Sequence, residues 1–265
     1  MLAPWDTAWK NPLRAIELSL DEMDEARDER LDWPEERTSA TPNHLLRVPE
    51  DETSMISARD ALERLEEGNR RFVSGVRRSD TLTSQARRSE LAAGQEPFAV
   101  ILGCSDSRVP AEIVFDQGLG DLFVIRVAGN VVASSQIGSV EFAAERFATP
   151  LVVVLGHSRC GAVLATLEEL MQPRGNQSRN LRSIVDRVRP SVEPLLATEL
   201  RDDPDALVRH AVRANVRISA YHLRHGSEVL EELIEKGDLL VLGAEYSLES
   251  GVVEFFDGVP PAAAQ

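Results

Sequence analysis

Four short apolar runs limit what this chain can fold into: PFAVILG (97–103), DLFVIRVAG (121–129), PLVVVLG (150–156) and DLLVLGAEY (238–246). Each is continuous rather than alternating, the pattern of a strand covered on both faces. Helical periodicities separate them. SARDALERLEEGNRRFVSG places Ala61, Leu62, Leu65 and Phe72 on one side of a helix, with Ser57 as its cap. Further helices are predicted over roughly 84–93, 136–148 and 161–171, and in pieces between about 178 and 236. Buried strands alternating with helices predict an α/β fold, a parallel-rich central sheet flanked by helices. VVEFFDG near the end reads as an edge strand.

The first 55 residues differ from the rest. They carry 14 acidic and 6 basic residues, about half of the chain's net charge of -15. Leu13, Ile16, Leu20 and Met23 recur at helical spacing, and WPEERTSATPNHLLRVP (33–49) has the composition of a linker. We read residues 1–55 as an acidic N-terminal extension with a short amphipathic helical arm, and 56–265 as the main domain. The arm packs on its own domain or on a neighbouring subunit in one reading, and docks onto another protein in the other. The acidity argues against a nucleic-acid partner, since phosphate binding needs clustered Lys and Arg. No run approaches about 18 consecutive apolar residues, which argues against a membrane span. The N-terminus lacks the basic start and apolar block of a secretory signal, so the expectation is a cytoplasmic protein. The chain's two cysteines make no disulfide framework.

Those cysteines stand where chemistry is placed in open α/β sheets, beyond the carboxyl ends of strands. PFAVILG runs into Cys104, Asp106 and Arg108; PLVVVLG runs into His157 and Cys160. If the two strands are neighbours, Cys104, His157 and Cys160 converge. Two thiolates and an imidazole are a ligand set for zinc, and three protein ligands leave a fourth position open, as in catalytic sites. Gly156 and Gly161 leave room for a tight backbone around His157 and Cys160. The competing reading is two buried structural cysteines and a satisfied core histidine. Cys104, Asp106 and Arg108 can share one side of an extended segment. An aspartate held by an arginine stays ionised, although such a pair is also a common structural feature.

GCSDSRVPAE, FDQGLGDLFVIRVAGN and VVVLGHSRCGAV, with LEEGNRRFVSG and AAGQEPFAVIL, resemble the β-class carbonic anhydrases from about Ala58 onward. The first 55 residues lie outside the resemblance. It implies a β-carbonic anhydrase-like fold and a Zn2+ enzyme that interconverts carbon dioxide and bicarbonate, with zinc-bound hydroxide as the attacking group. By position it implies Cys104, His157 and Cys160 as metal ligands and Asp106 and Arg108 as the catalytic dyad. In some members Asp106 would close onto the metal as a fourth ligand when bicarbonate binds nearby. That subgroup carries a tryptophan where this chain has Ile101 and a tyrosine where it has Phe142; its pocket arginine is matched by Arg126, which belongs to a more widely shared motif. The permanently open subgroup is matched instead, by Gln95 and Phe123. The resemblance therefore implies the open, non-cooperative subtype, with substrate contacts from Gln95, Phe123, Ala128 and Gly161. Gln95 and Phe123 would line a pocket at a homodimer interface. The alternatives are a carbon disulfide or carbonyl sulfide hydrolase on the same scaffold, a metal-free enzyme with Cys104 as nucleophile, and a cargo protein docked through the arm. His210, His222 and His225 are expected on the surface, and His44 in the linker has no assigned role.

Overall fold

A computed structural model describes residues 56–76, 84–173 and 178–261. The expected arm helix, the linker, His44 and the boundary near residue 55 lie outside these. The elements are helix α1 (Ala58–Ser74), α2 (Gln85–Leu91), strand β1 (Ala99–Gly103), α3 (Ala111–Val114), β2 (Leu122–Arg126), α4 (Ser134–Phe147), β3 (Leu151–His157), α5 (Gly161–Met171), α6 (Arg179–Val192), α7 (Pro204–His225), α8 (Glu228–Lys236), β4 (Leu240–Tyr246) and β5 (Val253–Asp257). Among the described residues no helix is long and apolar enough to cross a membrane.

The strands form one sheet in the order β2-β1-β3-β4-β5. The first four are mutually parallel, and β5 adds antiparallel to β4 as the expected edge strand. Alternate side chains feed two cores. Ala99, Ile101, Leu151, Val153, Leu155, Leu242 and Ala244 pack with Ala61, Leu62 and Leu65 of α1 on one face. Val100, Leu102, Val152, Val154 and Val241 pack with Val140 of α4, Val216, Ala220 and Leu223 of α7 and Leu230 of α8 on the other. Both faces are covered, so β1 and β3 are buried along their whole length and can be apolar at every position.

The second apolar run departs from expectation. DLFVIRVAG does not make a strand buried on both faces. β2 is an edge strand, paired only with β1, and Phe123, Val124 and Ile125 are half-buried. It ends at Arg126; Ala128–Asn130 is a single turn of 3-10 helix, with Gly129 in the left-handed region at φ 73°.

Helix ends follow local chemistry. Ser57 caps α1 by accepting from the Asp60 N–H at 3.1 Å, as expected, and Asp203 with Pro204 opens α7. Along its length, α1 makes a close approach at Gly68. A Cβ there would lie 1.7 Å from the Phe115 carbonyl oxygen, which is backbone and cannot swing aside. Gly68→Ala should therefore lower the free energy of urea unfolding by about 1–3 kcal/mol. An unchanged unfolding midpoint would show that α1 does not pack this closely.

Candidate metal centre

The strand order explains why the site lies where it does. The chain leaves β1 toward β2 on one side and leaves β3 toward β4 on the other. A crevice opens where neighbouring strands send their connections apart, beyond their carboxyl ends. β1 and β3 are those neighbours, with Gly103 in register with Leu155. Cys104 follows the last residue of β1, His157 is the last of β3, and Cys160 immediately precedes α5.

Cys104, His157 and Cys160 are all buried, and their ligand atoms lie within 4.8 Å of one another. The two sulfurs are 3.9 Å apart. His157 Nδ1 stands 3.0 Å from the Ser158 carbonyl oxygen. A carbonyl only accepts, so Nδ1 carries the proton and Nε2 presents its lone pair to the sulfurs. That Nε2 is buried with no hydrogen-bond partner. An orphaned ring nitrogen beside two thiols is what a soft-ligand cation site requires, and metal-binding histidines commonly donate their other N–H to a carbonyl. The residues present thus fit zinc.

The thiols divide their acidity. Cys104 is drawn down, chiefly through its hydrogen bond with Cys160, helped by His157 and by the Gly129 and Asp106 backbone N–H groups against the cost of burial. Cys160 is pushed up by the same contact and by burial.

The turn between β3 and α5 bends at Arg159, whose φ of 55° is left-handed. The two glycines therefore serve differently from expectation. A Cβ on Gly156 would meet Val216 Cγ2 at 2.4 Å, so this glycine admits α7, while Gly161 faces open space.

Asp106 is gripped by Arg108 through three bonds. Arg108 Nε donates to Oδ1 at 2.9 Å, Nη2 to Oδ2 at 2.7 Å, and the Arg108 backbone N–H to Oδ1 at 3.0 Å. The guanidinium holds the carboxyl well below the usual carboxylate range. Asp106 Oδ2 is 3.9 Å from His157 Nε2, which places the Asp106–Arg108 pair beside the Cys-His-Cys cluster.

The other expected site residues divide. Ala128 adjoins Gly129, whose N–H reaches Cys104 Sγ at 3.4 Å, and Gly161 follows Cys160. Gln95 lies in the loop before β1, in a cleft with Arg88, Leu91 and Gly120, whereas the ligands lie past the other end of that strand. Phe123 on β2 packs at a tilt against Phe142 and Phe147 of α4, at centroid distances of 6.3 and 6.2 Å. Within one chain neither reaches the metal ligands. His210, His222 and His225 lie on α7; His210 and His225 are exposed, as expected, and His222 is exposed on the same helix.

Two supporting groups escaped the sequence reading. Arg126 Nε donates to the Cys104 carbonyl at 3.1 Å and Nη2 to the Asp106 carbonyl at 2.6 Å, pinning the loop that carries both residues. The resemblance names Arg126 only as the match to a pocket arginine, not as a clamp on this loop. The Gly129 N–H is a backbone group and has no side-chain signature.

The carbonic anhydrase family profile matches residues 99–253 of the chain. It is 45% identical over 190 residues to carbonic anhydrase 2 of Mycobacterium tuberculosis, covering 71% of this chain and 87% of that one. The chain belongs to the β-carbonic anhydrase family. A carbonic anhydrase of Mycolicibacterium smegmatis is 40% identical, over 72% of this chain and 89% of that one. Among solved structures, the β-carbonic anhydrase CafA of Aspergillus fumigatus aligns with TM-score 0.56 and 32% identity, over 66% and 82% of the two chains. A β-carbonic anhydrase of Sordaria macrospora, described as tetrameric, aligns with TM-score 0.57 and 26% identity, over 64% and 85%. The chain is thus a carbonic anhydrase by family, a zinc-dependent family whose activity is hydration of carbon dioxide, with a Cys-His-Cys cluster able to hold the metal.

The depressed pKa of Asp106 fixes a pH dependence. Its stabilising contribution is fully present above the unfolded-chain value, near 3.9, and is lost as pH falls toward the folded value. Urea unfolding of the parent and of Arg108→Leu should show a stability gap that narrows as pH drops from about 5 to about 3. A gap constant across that window would mean that Arg108 does not hold the carboxylate.

Proposed function

We propose that the chain hydrates carbon dioxide reversibly to bicarbonate and a proton at a zinc held by Cys104, His157 and Cys160, in the open, non-cooperative subtype. The observation that carries this is the convergence of the three ligand atoms within 4.8 Å beside an aspartate whose two oxygens both face Arg108. Zinc, when bound, supplies the Lewis acidity that makes water nucleophilic near neutral pH. Asp106, kept ionised, accepts a hydrogen bond from the attacking water and aligns its lone pair toward carbon. Arg108 keeps that carboxylate from turning onto the metal. Arg126 fixes the backbone beneath both.

The open subtype is favoured by two further features. Ile101 is fully buried in the β1 core and Phe142 has no hydroxyl, so neither supplies the polar edge of a bicarbonate pocket. Gln95 and Phe123 are assigned to substrate, across a homodimer interface: the apolar ring suits carbon dioxide, and the amide donates to the oxygen that gains charge. Ala128 and Gly161 border the same slot. The cytoplasm is assigned to the protein as its location.

Stopped-flow hydration from about pH 6.5 to about pH 9 tests this reading. The parent should hold about one zinc per chain and stay active at the low end, while Cys160→Ser should lose the metal and activity by about 100-fold or more. A steep cooperative loss below about pH 8 would overturn the open subtype. An active protein free of zinc would overturn the metal assignment.

A further inference from the structure

One buried polar side chain close to the metal centre has no part in the proposed reaction. Asn215 lies mid-way along α7 and is 1% exposed. With Ser219 it interrupts an otherwise apolar stripe, at every fourth position of Leu207, Ala211, Asn215, Ser219 and Leu223, all buried. Burying an amide is costly unless its polar atoms are paired. Asn215 Nδ2 donates to the Gly129 carbonyl at 2.7 Å, and Oδ1 accepts from Ser191 Oγ at 3.5 Å. The N–H of that same Gly129 points the other way, to Cys104 Sγ at 3.4 Å.

We propose that Asn215 is a positioning residue for Cys104, acting through the Ala128–Asn130 turn. The role rests on Cys104 being a metal ligand. Cys104 and Gly129 both lie past the ends of their strands, outside the regular sheet ladder. α7 is a 22-residue helix packed against β3 and β4. Its amide grips the Gly129 carbonyl and so keeps the Gly129 N–H aimed at sulfur. That bond draws charge from the thiolate and orients it, setting how tightly the sulfur donates to a metal. The turn accepts little else: Gly129 has φ 73°, and a Cβ there would lie 3.0 Å from Ala162 Cβ.

The test is made on the full chain, zinc-loaded and cobalt(II)-substituted, with Asn215→Leu. Zinc should pass to an excess chelator roughly 10–100-fold faster than from the parent. The sulfur-to-cobalt charge-transfer absorption should shift, with the far-ultraviolet circular dichroism unchanged. Asn69→Leu is the control. Asn69 is a similarly hidden amide, but it donates to the Val114 and Gly251 carbonyls and touches no ligand. It should lower the unfolding midpoint while leaving zinc release and the cobalt band at parent values. Parent-like release and spectrum in Asn215→Leu would overturn the role, as would Asn69→Leu reproducing its effects. Should Asn215→Leu fail to fold, Asn215→Ser, too short to span the contact, replaces it: faster zinc release and a shifted cobalt band support the role, and parent values overturn it. A parent that takes up no zinc overturns the metal assignment and this role together. A zinc-loaded parent with an indifferent Asn215 variant overturns this role alone.

Discussion

The pairing of β1 with β3, with their exits turned in opposite directions, is the constraint on which the site depends. Register alone sets Cys104 alongside the end of β3, because Gly103 stands opposite Leu155. Moved to another strand, any of the three residues would leave the point where the connections of neighbouring strands diverge. The apolar bulk of both strands is what makes this possible. With α1 on one face and α4, α7 and α8 on the other, the pair is immobilised along its length, and three reactive side chains emerge from a rigid base.

Around the ligands the protein directs its hydrogen bonds to backbone as much as to side chains. Arg126 closes on two carbonyls, and Arg108 fastens the Asp106 carboxylate. His157 is oriented by the Ser158 carbonyl. Each contact removes a freedom that the segment after β1 or β3 would otherwise have. The unsatisfied atom at the centre, His157 Nε2, is the one a cation would take.

Much of this was legible in the residues. β1, β3 and β4 declare themselves as unbroken apolar runs because both sides of each are covered, and the two motifs at the strand ends supply the three residues that the fold brings together as a possible metal cluster. β2 misled because an edge strand can be as apolar as a central one when it is half-buried. Gly156 reads as a loop glycine, yet what it serves is the close approach of Val216 from α7, a contact between segments far apart in sequence. The support given by Arg126 and Gly129 was hidden for a related reason: it acts on or through main-chain atoms, which every residue has. Gln95 and Phe123 lie away from the ligands within one chain, so no single-chain contact expresses their assigned part.

Two ligands sit on one tight turn and the third on a different strand end, and this has a mechanical consequence. An ion gripped by all three would rivet the β1 exit to the β3 exit, closing into a ring everything in between, β2 and α4 included. The denatured chain loses the most freedom when a clasp joins distant points, so occupancy would raise the resistance of that whole stretch to unravelling. The turn at His157 and Cys160 can hold an ion alone only loosely, and Cys104 is the latch that shuts the ring.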